Sequence, residues 1–302
     1  MVSLVKFLLL IILEIPAVLM SISIIIYFIL NRSVRLKFKN HIWLVLVILN
    51  ISQLLLLLPL PIRYYQWDHV WLETASFCTW WSWFEYSTNT ASLILMAWAS
   101  IERHLMIFYF SIFLRLKWKR WAFHYLPILF CLLWTPSFYF VLIVISPNCN
   151  TIWNYDQVVC GAPCFITTAR STYGLFDFLF NITVPLMVMI SANLILIIRV
   201  IYGKLTRQQA VRWRRHRKMT VQLWLVSSLY FAGWLPFTVT RLVQLTFAPW
   251  FFLDVFETIV FILYFVPLLL PFFCLTMLPG LMKKIQTKFF SQRQNQIAMV
   301  ID

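Results

Sequence analysis

At 302 residues, with 62% hydrophobic and only 12% charged side chains, the chain has too little polar surface to clothe a water-soluble globule. Its net charge of +15 does not point to nucleic acid. The basic residues sit in short gaps between apolar runs, where they set topology and meet anionic lipid.

Seven apolar stretches predict an all-α membrane protein, with spans at roughly 6–30, 41–62, 76–101, 122–146, 172–198, 219–248 and 252–278. Each reaches the roughly 20 residues that about 30 Å of hydrocarbon requires, and none alternates as a barrel strand does. The first, interrupted only by Glu14 and Pro16, is too long for a cleavable signal and is expected to remain as a helix. Lys and Arg then alternate along the gaps. The N-terminus has only Lys6, and the first gap has four (Arg32, Arg35, Lys37, Lys39). Arg63 stands alone before a gap of five (Arg103, Arg115, Lys117, Lys119, Arg120), and Arg170 before a gap of eight between Arg199 and Lys218. Arg241 precedes a tail with four (Lys283, Lys284, Lys288, Arg293). Cytoplasmic loops retain basic residues, so the alternation predicts an N-terminus outside the cell and a C-terminus inside, in the plasma membrane. Beyond the last span, Leu281, Ile285 and Phe289 recur every four residues, with Lys283, Lys284 and Lys288 turned elsewhere. That predicts a short amphipathic eighth helix over roughly 280–290, lying on the inner leaflet of the lipid bilayer.

Of six cysteines, Cys131 and Cys274 fall within spans and read as small buried hydrophobes. Cys78, Cys149, Cys160 and Cys164 map to the outer side, where disulfides survive. Cys78 opens the third span and the other three share one outer loop. A bridge from Cys78 to Cys160 or Cys164 would staple that loop over the outer mouth, and Cys149 would take the remaining loop cysteine. Spacing does not choose between them.

Several features together give the chain a resemblance to the rhodopsin-like G-protein-coupled receptors. Span three ends in Glu102-Arg103-His104, similar to that family's acidic-Arg-Tyr triplet, with Cys78 placed 25 residues before Arg103. Span six holds Gly233-Trp234-Leu235-Pro236, which looks like the family's Trp-x-Pro turn; Trp134, Pro185 and Pro271 stand in spans four, five and seven. The resemblance implies a single seven-helix receptor domain that binds an extracellular small molecule or peptide and activates a heterotrimeric G protein. It assigns Glu102, Arg103, Trp234, Pro236 and Pro271 to the activation switch. A proline removes one helical hydrogen bond and kinks the helix, so Pro236 can serve as a hinge beneath the ligand.

The chain departs from the family pattern at Asn50, where an Asp is usual, and at Leu270, Cys274 and Asn193. A neutral amide cannot supply the charge that holds a hard cation, so no metal site is expected at Asn50. Residues 203–220 contain no acid, which leaves no ion pair to clasp helix three to helix six. Raised basal activity is the expectation unless Thr220 or His216 substitutes. Glu102 and Arg103, being adjacent, could satisfy each other.

Glu85 lies 18 residues before Arg103, about five turns towards the outside. Asp177 precedes Pro185 by eight residues, and Tyr264 precedes Pro271 by seven. An acid flanked by Trp80, Trp81, Trp83 and Tyr86 is the chemistry of cation recognition, and the resemblance places an amine-pairing acid at that depth. Glu85, Asp177, Trp234, Arg241 and Tyr264 are therefore the expected ligand-binding residues. Two other readings stand beside this one: an internally paired Glu85, and an anionic or peptidic ligand selected by Arg241 and Glu257. No metal-ligand cluster, glycine-rich phosphate loop or nucleophile–base pair is visible, so neither an enzyme nor a cofactor is expected. A non-signalling seven-helix scaffold or scavenger is the alternative function, and a transporter a weaker one, since no internal repeat appears.

Overall fold

The structure, a computed structural model, describes residues 2–36, 40–108, 118, 121–146, 149–167, 172–202, 207–246 and 253–276. All regular structure among them is helical. Seven long helices follow in order: α1 (Val2–Leu30), α2 (His41–Trp67), α3 (Ala75–Phe108), α4 (Trp121–Ile145), α5 (172–202), α6 (Arg207–Thr246) and α7 (253–276). Six of these include a stretch long and apolar enough to cross a membrane. The other, α3, has 34 residues, about 50 Å at 1.5 Å per residue, but is richer in Ser, Thr, Asn and charge. Its position explains this. It packs against α2, α4, α5 and α6, so its polar side chains meet protein and not lipid. The eighth helix expected over 280–290 lies outside the described residues.

The outer helices are apolar on both faces. On α1 the buried stripe is Leu10, Ala17, Ser21, Ile24 and Phe28, while Ile12, Ile15, Leu19 and Ile26 point outward and exposed. Such outward-facing aliphatics suit hydrocarbon as solvent. Prolines set local departures. In α2, Pro59 has no N–H to donate, and the turn before it widens so that Leu58 N–H reaches back five residues to the Gln53 carbonyl. In α7, Pro267 cannot bond the Leu263 carbonyl, and the helix breaks at Tyr264 between Leu253–Leu263 and Phe265–Thr276. That second break was not anticipated from the sequence, where Pro271 drew the attention.

One core cluster joins α2, α3, α5, α6 and α7 around Leu46, Leu95, Met96, Leu223, Tyr230 and Trp234. A second gathers α1, α2, α3, α7 and the loop after α4 around Leu10, Tyr65, Trp81, Cys160 and Tyr264. Lys6, the lone basic residue of α1, is buried in this second region. Its Nζ lies 2.9 Å from Glu257 Oε1 and sits over the rings of Tyr65 and Phe261 at 5.1 and 5.5 Å. Glu257 is thus tied to α1, which the sequence reading, with Glu257 as a ligand selector, did not foresee.

Candidate functional site

Two disulfides fix one end of the bundle: Cys78–Cys160 joins α3 to the loop after α4, and Cys149–Cys164 closes that loop on itself. The choice left open by spacing falls to Cys160. Around the bridge, Val159, Cys160 and Gly161 all take positive φ. For a β-branched residue such as Val159 this backbone is strained. It is held by the adjacent disulfide and by Ser82 Oγ, which donates to the Val159 carbonyl at 3.3 Å. Val70 N–H to the Tyr155 carbonyl and Tyr64 Oη to the Asp156 carbonyl pin the rest of the loop to α2 and its following turn.

Beneath that loop lies a cavity of about 190 Å³. By the roughly 10–15 Å³ of such space that one water needs, it has room for about a dozen non-hydrogen atoms. Val159 and Ala162 roof it, α3 contributes Glu85, Tyr86, Asn89 and Thr90, and α5 contributes Asp177, Phe178 and Ile182. Trp234, Phe237 and Arg241 come from α6, and Val260 and Leu263 from α7. Four of the five residues expected to contact ligand therefore share one chamber. Tyr264 does not. The break at Pro267 turns it into the cluster with Tyr65, Trp81 and Leu268, where its hydroxyl is buried without a hydrogen-bond partner.

The two acids are held differently. Glu85 accepts from Trp81 Nε1 (3.2 Å) on one oxygen and from Asn89 Nδ2 (3.1 Å) on the other, and Asn89 accepts from Gln53 of α2 at 2.9 Å. Neither donor is charged, so no cation in these contacts compensates Glu85. Asp177 lies in a widened segment, Asp177–Thr183, and accepts from Tyr139 Oη at 2.6 Å and Asn181 Nδ2 at 2.9 Å. Thr90 on α3 pairs with the same Tyr139 hydroxyl at 2.9 Å, and Trp134 Nε1 donates to Asn181 Oδ1 at 3.1 Å. Asp177 is thus the hub of a polar network across α3, α4 and α5. Arg241 donates to Gln244 Oε1 at 3.2 Å and lies in the field of Asp177 and Tyr86; it is not the partner of Glu85.

At the chamber floor, Trp234 is buried and meets Phe237 edge-on at 5.9 Å. The residue before it packs tightly: a Cβ on Gly233 would stand 2.6 Å from Val266 Cγ2 of α7, so a larger residue there would have to displace that side chain. Two residues on, Pro236 withholds the N–H that the Ala232 carbonyl would accept. Closer to the opposite end, Leu270 and Cys274 are buried around Pro271. Asn50 Nδ2 reaches Ser21 Oγ at 3.4 Å, and Asn193 Nδ2 caps the Met189 carbonyl at 2.8 Å.

At that opposite end Glu102 and Arg103 are both buried. Glu102 has a partner beyond its neighbour. Its Oε1 lies 2.5 Å from Nδ1 of His124 on α4, and His124 Nε2 lies 2.9 Å from Nδ1 of His41 on α2. Beyond the reading of Glu102 and Arg103 as adjacent charges that satisfy each other, the carboxylate ties α3 to α4 and, through it, to α2. Sequence reasoning missed His41 and His124. The available signal was two histidines at the ends of apolar spans, where a bare imidazole is costly. The side chains of His216 and Thr220 lie outside the described residues.

Long apolar helices, a chamber roofed by a disulfide-bound loop, and a buried glutamate and arginine toward the far end define a membrane protein of the helical-bundle class. Residues 21–273 match the family described as 7 transmembrane receptor (rhodopsin family), and the chain belongs to that family. The family is one of receptors and not of enzymes. A comparison with individual curated proteins found no match.

Proposed function

We propose that the chain is a plasma-membrane receptor crossing the bilayer seven times, with its N-terminus outside and its C-terminus in the cytoplasm. It binds a small extracellular cation, an amine or the amino end of a short peptide, in the chamber and activates a heterotrimeric G protein. The observation that carries the ligand reading is Glu85. Its carboxylate lines a closed-over, aromatic-walled chamber, yet only two neutral N–H groups hold it. A carboxylate there favours a ligand ammonium, and ring faces such as Tyr86 and Trp234 add to that preference. Asp177 already accepts from Tyr139 and Asn181 in a network across three helices, so a ligand cation gains most beside Glu85. The route onward runs from the chamber floor at Trp234, across the Pro236 kink, to Arg103 at the inner end.

Nucleotide exchange on purified G proteins, with a panel of small amines and amidated short peptides, tests this. A hit whose potency falls about 100-fold or more in Glu85→Gln, and whose efficacy is lost in Arg103→Ala, supports the reading; loss of one charge-assisted contact in a dry site is worth roughly that much. Ligand binding with no exchange on any G protein would instead favour the non-signalling scaffold.

A further inference from the structure

Among the acids of the long helices whose side chains are described, all but one meet a partner. Glu85 accepts from Trp81 and Asn89, Glu102 meets His124, Asp177 accepts from Tyr139 and Asn181, and Glu257 pairs with Lys6. Glu14 of α1 has no hydrogen bond or ion pair with any described residue. It stands 12 residues after the start of α1 and 16 before its end, within about 3 Å of the helix midpoint at 1.5 Å per residue. At that depth the surroundings are hydrocarbon, where an acid without a partner is costly and marks a site of function. The side chain is half-buried and not sealed inside the bundle. Half-buried Ile11 and Val18 lie one turn to either side of it, and Ile15 beside it is exposed. The helix that carries it is also the most open of the six with membrane-length apolar stretches: 22% of its span is buried, the lowest share among them, with its main packing on α2 and α7.

We propose that α1 is a contact between two copies of this chain, joined in mid-membrane by hydrogen bonds between Glu14 of one copy and Glu14 of the other. A carboxyl group that carries its proton is at once a donor and an acceptor, so it is complementary to itself. Depth selects the same occupant. Membrane insertion gives every copy one orientation, and a two-fold axis along the membrane normal then sets two α1 helices parallel with Glu14 at equal height. A different membrane protein would need a polar group that happened to fall at this level. The aliphatic side chains around Glu14 shape the contact but do not drive it. Helices surrounded by lipid gain no hydrophobic free energy from meeting, and hydrogen bonds between them are what discriminate one face from another. Lys6, the lone basic residue of α1, is held by Glu257 of the same chain and leaves Glu14 without a cation from its own helix. No residue of the chamber takes part, so the contact stands apart from the receptor reading.

The test is self-association of the full chain, fluorescently labelled and reconstituted in liposomes over a range of lipid-to-protein ratios, with dimers read by energy transfer and by subunit counting. The wild type should pass from dimer to monomer on dilution. Glu14→Leu removes donor and acceptor together and should weaken association about tenfold, whereas Glu14→Gln keeps both in an amide and should stay within about threefold of wild type. Leucine suits a membrane helix, and an unchanged Tm shows that the variant is folded. Glu14→Lys should be weak alone yet pair with the wild type at least as tightly as the wild type pairs with itself, because an ammonium then meets the carboxyl. Mild oxidation should link Val18→Cys from copy to copy and leave Leu133→Cys, on the exposed face of α4, unlinked. A wild type that is monomeric throughout, a Glu14→Leu chain that associates like the wild type, or equal linking at positions 18 and 133 would overturn the proposal.

Discussion

Tyr139→Phe removes a single oxygen from the network that holds Asp177 behind the chamber and should loosen three helices at once. The ring is fully buried, and its hydroxyl donates to Asp177 at 2.6 Å while pairing with Thr90 at 2.9 Å. Phenylalanine keeps the ring contacts with Phe138 and Tyr86, so packing is nearly conserved and the loss is polar. A hydrogen bond to a carboxylate contributes about 1.5–3 kcal/mol and a neutral one about 0.5–1.5. Asp177 keeps its bond from Asn181, which offsets part of the loss, leaving roughly 2–3 kcal/mol. At about 2 °C per kcal/mol for a chain this long, Tm should fall by about 4–6 °C. The chain carries its own reporters: Cys131 and Cys274 are free and buried, so a thiol-reactive fluorophore reads unfolding without any ligand. Thr90→Val deletes only the neutral bond and should cost less than half as much. A Tyr139→Phe shift below about 1 °C, or one equalled by Thr90→Val, would refute the view that Asp177 is the hub of this network.

Two other substitutions test buried polar groups in opposite directions. Tyr264→Phe deletes a hydroxyl that is buried and unpartnered, so Tm should rise by about 2 °C, reflecting the roughly 1 kcal/mol that such a group costs; a fall of Tm would show that the hydroxyl has a partner. At the α1–α7 contact, Lys6→Met should be nearly neutral because a thioether fills the space between Tyr65 and Phe261, whereas Glu257→Gln strands a buried ammonium and should lower Tm by about 2–4 °C. Equal effects from both changes would mean the ion pair contributes little.

Much of this architecture could be read before any coordinates, because hydrocarbon imposes simple demands. Span length and apolarity are local properties, and Glu85, Asp177, Trp234 and Arg241 reach one chamber because helical rise fixes depth along each span. What could not be read depends on rotation and on partners distant in sequence. Tyr264 was placed at the right depth but turns away, since Pro267 breaks α7 and resets the phase of the helix. Glu102 was weighed only against its sequence neighbour Arg103, whereas a further partner, His124, is 22 residues away on another helix. The pairing of Cys78 with Cys160 comes with three consecutive positive-φ positions, Val159 to Gly161, which no residue count reveals.

The two disulfides also impose an order on biosynthesis. Cys149 and Cys164 are separated by 15 residues, whereas Cys78 and Cys160 are separated by 82. The small ring can close as soon as its segment leaves the ribosome and meets an oxidant. The large one also needs α3 and α4 to be packed side by side, and Cys78 stays an unpaired thiol until they are. Closing the small ring early removes Cys164 as a competitor and leaves Cys160 as the one loop thiol that Cys78 can take. The local bridge thus acts as a proofreader for the long-range one, and its loss would be felt first as mispaired chains held back in the secretory pathway, before any ligand was met.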